Sequence, residues 1–144
     1  MRIPPLVFPT VSLLGLVLFL TACGGSAQPK RAGEAKTSLD VTMMDYSYTP
    51  KELLVPAGKD IAVTLVNNGS VTHNFIIMKE GADVGQDFDD EDEPNVYWKI
   101  DVRPGKNAAG SFTAPSKPGE YLILCNTAGH FLAGMTGKLV VVAP

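Results

Sequence analysis

From Leu39 onward, short apolar runs alternate with turn residues along the chain. Residues 41–46 (VTMMDY) form a first strand candidate. Ile61, Val63 and Leu65 fall on one side of a period-two pattern, with Ala62, Thr64 and Val66 on the other, before Asn67-Asn68-Gly69 breaks the run as a turn. His73, Phe75 and Ile77 share the face of the next strand. Residues 96–102, 110–113, 121–125 and 138–142 complete the set, and Arg103-Pro104-Gly105 ends one of them. Period-two alternation punctuated by Gly, Pro and Asn predicts a sandwich or barrel. There is no internal repeat, no phosphate-binding glycine loop and no βαβ rhythm, so the expected fold class is all-β.

One segment departs from this pattern. Residues 81–94 carry Asp83, Asp87, Asp89, Asp90, Glu91, Asp92 and Glu93. These carboxylates repel one another and cannot enter a core together. The segment should be an exposed flap with one short helix, and Tyr97 and Trp98 should cover the core beneath it. Met43, Met44 and Met78 read as packing residues.

Composition narrows the picture further. The chain has 144 residues, 45% of them hydrophobic and 19% charged, and its 11 prolines disfavour long helices. Net charge is -3, and it becomes -4 once Arg2 is removed with a leader. No basic cluster is present, which excludes a nucleic-acid partner.

Residues 1–22 read as that leader: Arg2, then an apolar run from Val11 to Leu20, closed by Leu20-Thr21-Ala22-Cys23. The run is short, and Pro4, Pro5 and Pro9 make it a poor membrane-spanning helix. The tetrapeptide resembles a bacterial lipobox, which implies cleavage before Cys23 and lipidation of that cysteine. An uncleaved N-terminal anchor, with Cys23 incidental, is the alternative. Either way the domain is expected to be extracytoplasmic and tied to a membrane. Residues 23–38 form a flexible tether, and residues 39–144 a single domain. With Cys23 acylated, Cys125 has no disulfide partner in the chain.

Cys125 therefore needs another explanation, and its neighbourhood supplies one. In C-N-T-A-G-H-F-L-A-G-M, Cys125, His130 and Met135 recur at intervals of five. On a strand, that offset places Cys125 and His130 on opposite faces, about 17 Å apart. On a helix it rotates them by about 140°. Neither element gathers all three around one ion, so a looped hairpin is required, and Gly129 and Gly134 supply its freedom. The other histidine, His73, opens a strand after the 67–70 turn and reaches the same pole if that strand lies beside the one ending at Cys125. Zinc takes Cys and His readily, but a Met ligand is out of character for it. Two His, one thiolate and a weak axial thioether favour a blue-copper site. Four protein ligands leave no open position for substrate, and both histidines are occupied, so no enzymatic activity is expected.

These motifs, with His73-Asn74-Phe75 upstream, resemble the cupredoxins of the plastocyanin and azurin family, and among them most the auracyanins. The resemblance covers residues 39–142. It implies a Greek-key β-sandwich holding one copper ion, Cu(I)/Cu(II), with His73, Cys125, His130 and Met135 as ligands. It assigns Asn74 hydrogen bonds that hold the ligand loop near the Cys125 sulfur. Azurins differ in having one residue fewer between the second His and Met, and a Gly where Thr72 stands. Phe131, Leu132 and Ala133 flank His130 and form a docking surface in this reading. The expected activity is electron transfer between redox protein partners, of cytochrome type or a membrane oxidoreductase complex, by a monomer tethered to the membrane. The alternative is an extracytoplasmic copper carrier or buffer that does not cycle the ion. The acidic flap is either plain solvated loop or a steering surface for a cationic partner.

Overall fold

A computed structural model describes residues 33–143. The leader, the candidate lipidation site Cys23 and most of the tether lie outside the described residues. Among the described residues, nine strands form two sheets. They are β1 (Ser38–Met44), β2 (Ser47–Thr49), β3 (Glu52–Pro56), β4 (Asp60–Asn67), β5 (His73–Met78), β6 (Val96–Val102), β7 (Asn107–Thr113), β8 (Gly119–Leu124) and β9 (Thr136–Val142). One sheet runs β2-β1-β4-β7 and the other β3-β9-β8-β5-β6. The β1–β4 and β3–β9 pairs are parallel and the rest antiparallel. The result is a two-sheet β-sandwich, within the all-β class that the alternation predicts. No helix among the described residues is long and apolar enough to cross a membrane.

Alternation explains the core. In β4, Ile61, Val63 and Leu65 are buried while Asp60, Ala62 and Thr64 face solvent. β1 contributes Leu39, Val41 and Met43 in the same way, and Met44 turns outward. With Phe75, Ile77, Ile123, Leu139 and Val141 they fill the space between the sheets. Backbone pairing begins just before Leu39: the Lys36 amide donates to the Leu54 carbonyl at 2.9 Å, and the Ala62 amide to that of Thr37 at 2.9 Å.

β5 breaks the alternation, because Ile76 and Met78 on its outer face are buried as fully as Phe75 and Ile77. The cause is the acidic flap. Val84 is buried, and Ala82 and Phe88 pack with it over Ile76, Met78 and Leu124. The flap thus covers the outside of the second sheet with a few apolar residues and turns its carboxylates to water, except for the buried Asp92, which accepts from the Asp89 amide at 3.0 Å. Its helical content is a single 3-10 turn, Glu93–Asn95.

The expectation that Tyr97 and Trp98 lie together under the flap is corrected by strand parity, since neighbours on β6 face opposite ways. Trp98 packs between the sheets, its ring centroid 6.3 Å from Phe75 and 5.3 Å from Phe112. Tyr97 is exposed, and its hydroxyl donates to the Thr113 carbonyl at 2.7 Å.

Candidate metal centre

Two adjacent antiparallel strands bring the distant donors together. β5 pairs with β8 so that Ile76 faces Leu124, which carries Cys125 to the level of Phe75 on the inner face. His73, two residues further along that face, is then a diagonal neighbour of Cys125. The turn feeding His73 is organised by the buried Asn67. Its Nδ2 donates to the carbonyls of Val71 at 2.8 Å and Val102 at 2.7 Å, and its Oδ1 accepts from the Gly69 amide at 2.8 Å.

Between Cys125 and β9 the chain folds back on itself. The His130 amide donates to the Thr127 carbonyl, the Met135 amide to the His130 carbonyl, and the Cys125 amide to the Met135 carbonyl. Gly129 and Gly134 take φ of 77° and 90°, a conformation that L side chains rarely adopt. The Thr127 hydroxyl donates to the Thr72 carbonyl at 2.8 Å, tying this loop to the turn before β5.

Donor atoms of His73, Cys125 and His130 lie within 4.8 Å of one another, and all three residues are buried. Cys125 Sγ stands 3.9 Å from His73 Nδ1 and 3.8 Å from His130 Nδ1. Met135 is fully buried, hydrogen-bonded through its backbone to both Cys125 and His130. A first-row ion bonded at about 2.0–2.1 Å to nitrogen and about 2.3 Å to sulfur sets these atoms about 3.8 Å apart in a trigonal plane, against about 3.6 Å in a tetrahedron. Both sulfur–nitrogen separations are ones that a single ion can bridge, and the neighbouring thioether completes the donor set that selects copper over zinc.

The surroundings hold the donors in place. Asn74 donates its amide to Cys125 Sγ at 3.5 Å, and its side-chain amide donates to Asp101 Oδ1 at 2.7 Å. The Tyr48 hydroxyl donates to the Asn74 carbonyl at 2.6 Å. Burial, reinforced by Cys125, pushes that phenol well above its ordinary range. His73 Nε2 faces Asp45 Oδ1 at 3.1 Å. Burial draws His73 below its usual value, which favours the neutral imidazole that a metal requires, although Asp45 opposes the shift.

Of the three residues expected to form a docking surface, Leu132 is 70% exposed and Ala133 is also exposed. Phe131 is half-buried against the cluster under the flap. Asp45, Tyr46 and Tyr48 were not marked by the sequence. The β1–β2 turn gives no spacing signal, and these residues reach the centre only through the pairing of β1 with β4.

Comparison with known proteins covers most of the chain. The family model described as a cupredoxin-like domain matches residues 14–141. Auracyanin-B of Chloroflexus aurantiacus is 32% identical over 111 residues, 66% of this chain, and the match spans only 47% of that relative's length. The copper-resistant cuproprotein CopI of Pseudomonas aeruginosa is 27% identical over 79% of this chain and 81% of its own. Among solved structures, the dithionite-reduced auracyanin of Roseiflexus castenholzii superposes with a TM-score of 0.66 at 31% identity, covering 76% of this chain and 99% of that one.

Proposed function

The chain belongs to the cupredoxin-like family, whose members bind one copper, and from that premise we propose that it is a mononuclear blue-copper electron carrier with His73, Cys125, His130 and Met135 as the ligands. The observation that carries this reading is the convergence of two imidazoles and one thiol within reach of a single ion, beside a buried thioether. Copper held there supplies one-electron chemistry between Cu(II) and Cu(I).

The protein's own part is to keep the donors still. The β5–β8 pairing fixes His73 against Cys125, and the hydrogen-bonded loop fixes His130 and Met135. The Asn74 amide places a donor on the sulfur, where it stabilises thiolate charge. Burial excludes water, and no further histidine exists in the chain to build a second centre or serve as a general base. His130, 6% exposed against 0% for His73, Cys125 and Met135, is the donor nearest solvent and the edge through which electrons pass. The exposed Leu132 and Ala133 beside it meet a redox protein partner. Cys23, lipidated, holds the domain outside the cytoplasm at a membrane surface.

The CopI relatives favour a second reading, in which the chain carries or buffers copper without cycling it. Purified protein titrated with Cu(II) tests both. An intense visible band that is lost in Cys125→Ser and bleaches reversibly with a mild reductant supports the electron carrier. Transfer of the ion to an acceptor without any change of oxidation state supports the buffer. The anchor has its own test: Cys23→Ser should move the protein from the membrane fraction to the soluble one.

A further inference from the structure

Two consecutive residues in the turn between β1 and β2 contact the two imidazoles separately. Asp45 Oδ1 lies 3.1 Å from His73 Nε2. Its carboxylate is itself held by the Ser70 amide at 2.9 Å and the Ser70 hydroxyl at 2.6 Å. The Tyr46 ring stands 4.8 Å from that of His130, tilted by 50°. Tyr46 also takes φ of 68°, a left-handed conformation that is a genuine outlier for a bulky side chain. Such outliers persist where the surrounding structure imposes them, commonly at functional sites. Here the outlier lays the ring against that of His130, and Tyr46 is 53% exposed while His130 is 6% exposed.

We propose that Asp45 and Tyr46 are positioning residues that aim both imidazoles at the Cys125 sulfur, Asp45 as the carboxylate of a carboxylate–histidine–metal triad through His73 and Tyr46 as a ring cover over His130. The proposal deepens the copper reading and rests on it. An ionised Asp45 accepts a hydrogen from Nε2, which leaves Nδ1 unprotonated, and Nδ1 is the nitrogen facing Cys125 Sγ at 3.9 Å. A carboxylate behind a ligating imidazole fixes its tautomer and orientation and raises its basicity. The added negative charge stabilises the more highly charged Cu(II) form over Cu(I). Asp45 therefore holds the reduction potential down.

The experiment uses full-length protein. Asp45→Asn removes the charge and keeps the shape, and it should weaken Cu(II) binding about tenfold relative to Cu(I). A tenfold differential raises a one-electron potential by about 59 mV. Ser70→Ala, which loosens the carboxylate without touching His73, should shift the potential the same way by less. Nitrogen NMR of metal-free protein should show His73 protonated at Nε2, and Asp45→Ala should lose that preference. Tyr46→Ala should admit azide to the loaded site, seen as a change in the visible band, whereas Tyr46→Phe should not. An unmoved potential in Asp45→Asn, or equal loss of Cu(I) and Cu(II) affinity, overturns the triad. Identical azide responses in the two Tyr46 variants overturn the cover. Wild-type protein that never turns blue defeats the copper reading instead, and the metal-free NMR still decides whether Asp45 orients His73.

Discussion

Gly69 offers a sharp test of how closely the metal pole is packed. A methyl group placed there would overlap His73 Nε2 and stand 2.5 Å from Asp45 Oδ1, closer than real Cβ atoms approach. The neighbour on one side is a fully buried imidazole, and the other is a carboxylate tied down by Ser70, so neither yields freely. Overpacking of this kind costs about 1–3 kcal/mol. Gly→Ala recovers about 0.4–1 kcal/mol by restricting the unfolded chain, because the φ of Gly69 is not in the left-handed region. The net expectation for Gly69→Ala is a loss of about 0–2.6 kcal/mol in metal-free protein, read from urea unfolding. Displacing Asp45 or His73 should also lower Cu(II) affinity by about 10–100-fold, the usual effect of losing a group that supports a ligand. Gly119→Ala is the control, since its added methyl meets only Glu80 and Tyr121, at 3.6 and 3.9 Å. If the two variants match in stability and in Cu(II) affinity, the close approach of this turn to His73 does not constrain the site.

Three further outcomes follow from the same geometry. Met135→Leu keeps the core volume, so stability should fall by less than about 1.5 kcal/mol. The blue band should persist, and loss of the thioether should raise the potential by about 59 mV for each tenfold weakening of Cu(II) over Cu(I) binding, measured by voltammetry. Tyr48 keeps its proton in the folded state above its ordinary value of 10.0, where the unfolded chain releases it, so its contribution to stability declines as pH rises beyond that value. Wild type and Tyr48→Phe should therefore give superimposable phenolate titrations until the domain unfolds. Leu132→Asp, at a residue 70% exposed, should slow electron exchange with a protein partner while leaving the visible spectrum unchanged.

How much of this was legible along the chain follows from the range of the interactions. The strands from Ile61 to Leu65, His73 to Ile77 and Val96 to Val102 were readable because alternation is a local consequence of one buried face. β3 carries a weak signal: Leu53 and Val55 are buried, but the strand is five residues long, preceded by Pro50 and ended by Pro56, and its partner β9 lies more than 80 residues away. The outer burial of Ile76 and Met78 has the same origin, because it depends on Val84 and Phe88 folding back from a segment whose charge suggested full exposure. Cys125, His130 and Met135 stood out because rare donors at a fixed spacing survive any fold. Asp45 and Tyr46 carry no such mark, and only parallel pairing of β1 with β4 sets their turn beside His73.

The centre thus draws on both layers of the sandwich. His73, Cys125, His130 and Met135 belong to β5, the end of β8 and the loop into β9, all in one sheet, while Asp45, Tyr46 and Tyr48 come from the β1–β2 hairpin of the other. A site assembled across two sheets cannot form before they pack, so metal binding and global stability are linked. A ligand present at 1,000 times its dissociation constant adds about 4.1 kcal/mol to the folded state. The donors are held by backbone pairing, by the hydrogen bond that the Asn74 amide gives to Cys125 Sγ, and by the Asp45 carboxylate against His73. Donors held by this many backbone and side-chain ties change little between the two oxidation states, which favours passing an electron. Releasing the ion would require opening the 125–135 loop against its internal hydrogen bonds and the tie from Thr127 to Thr72. The same packing that makes the site stiff is what separates a carrier of electrons from a carrier of copper.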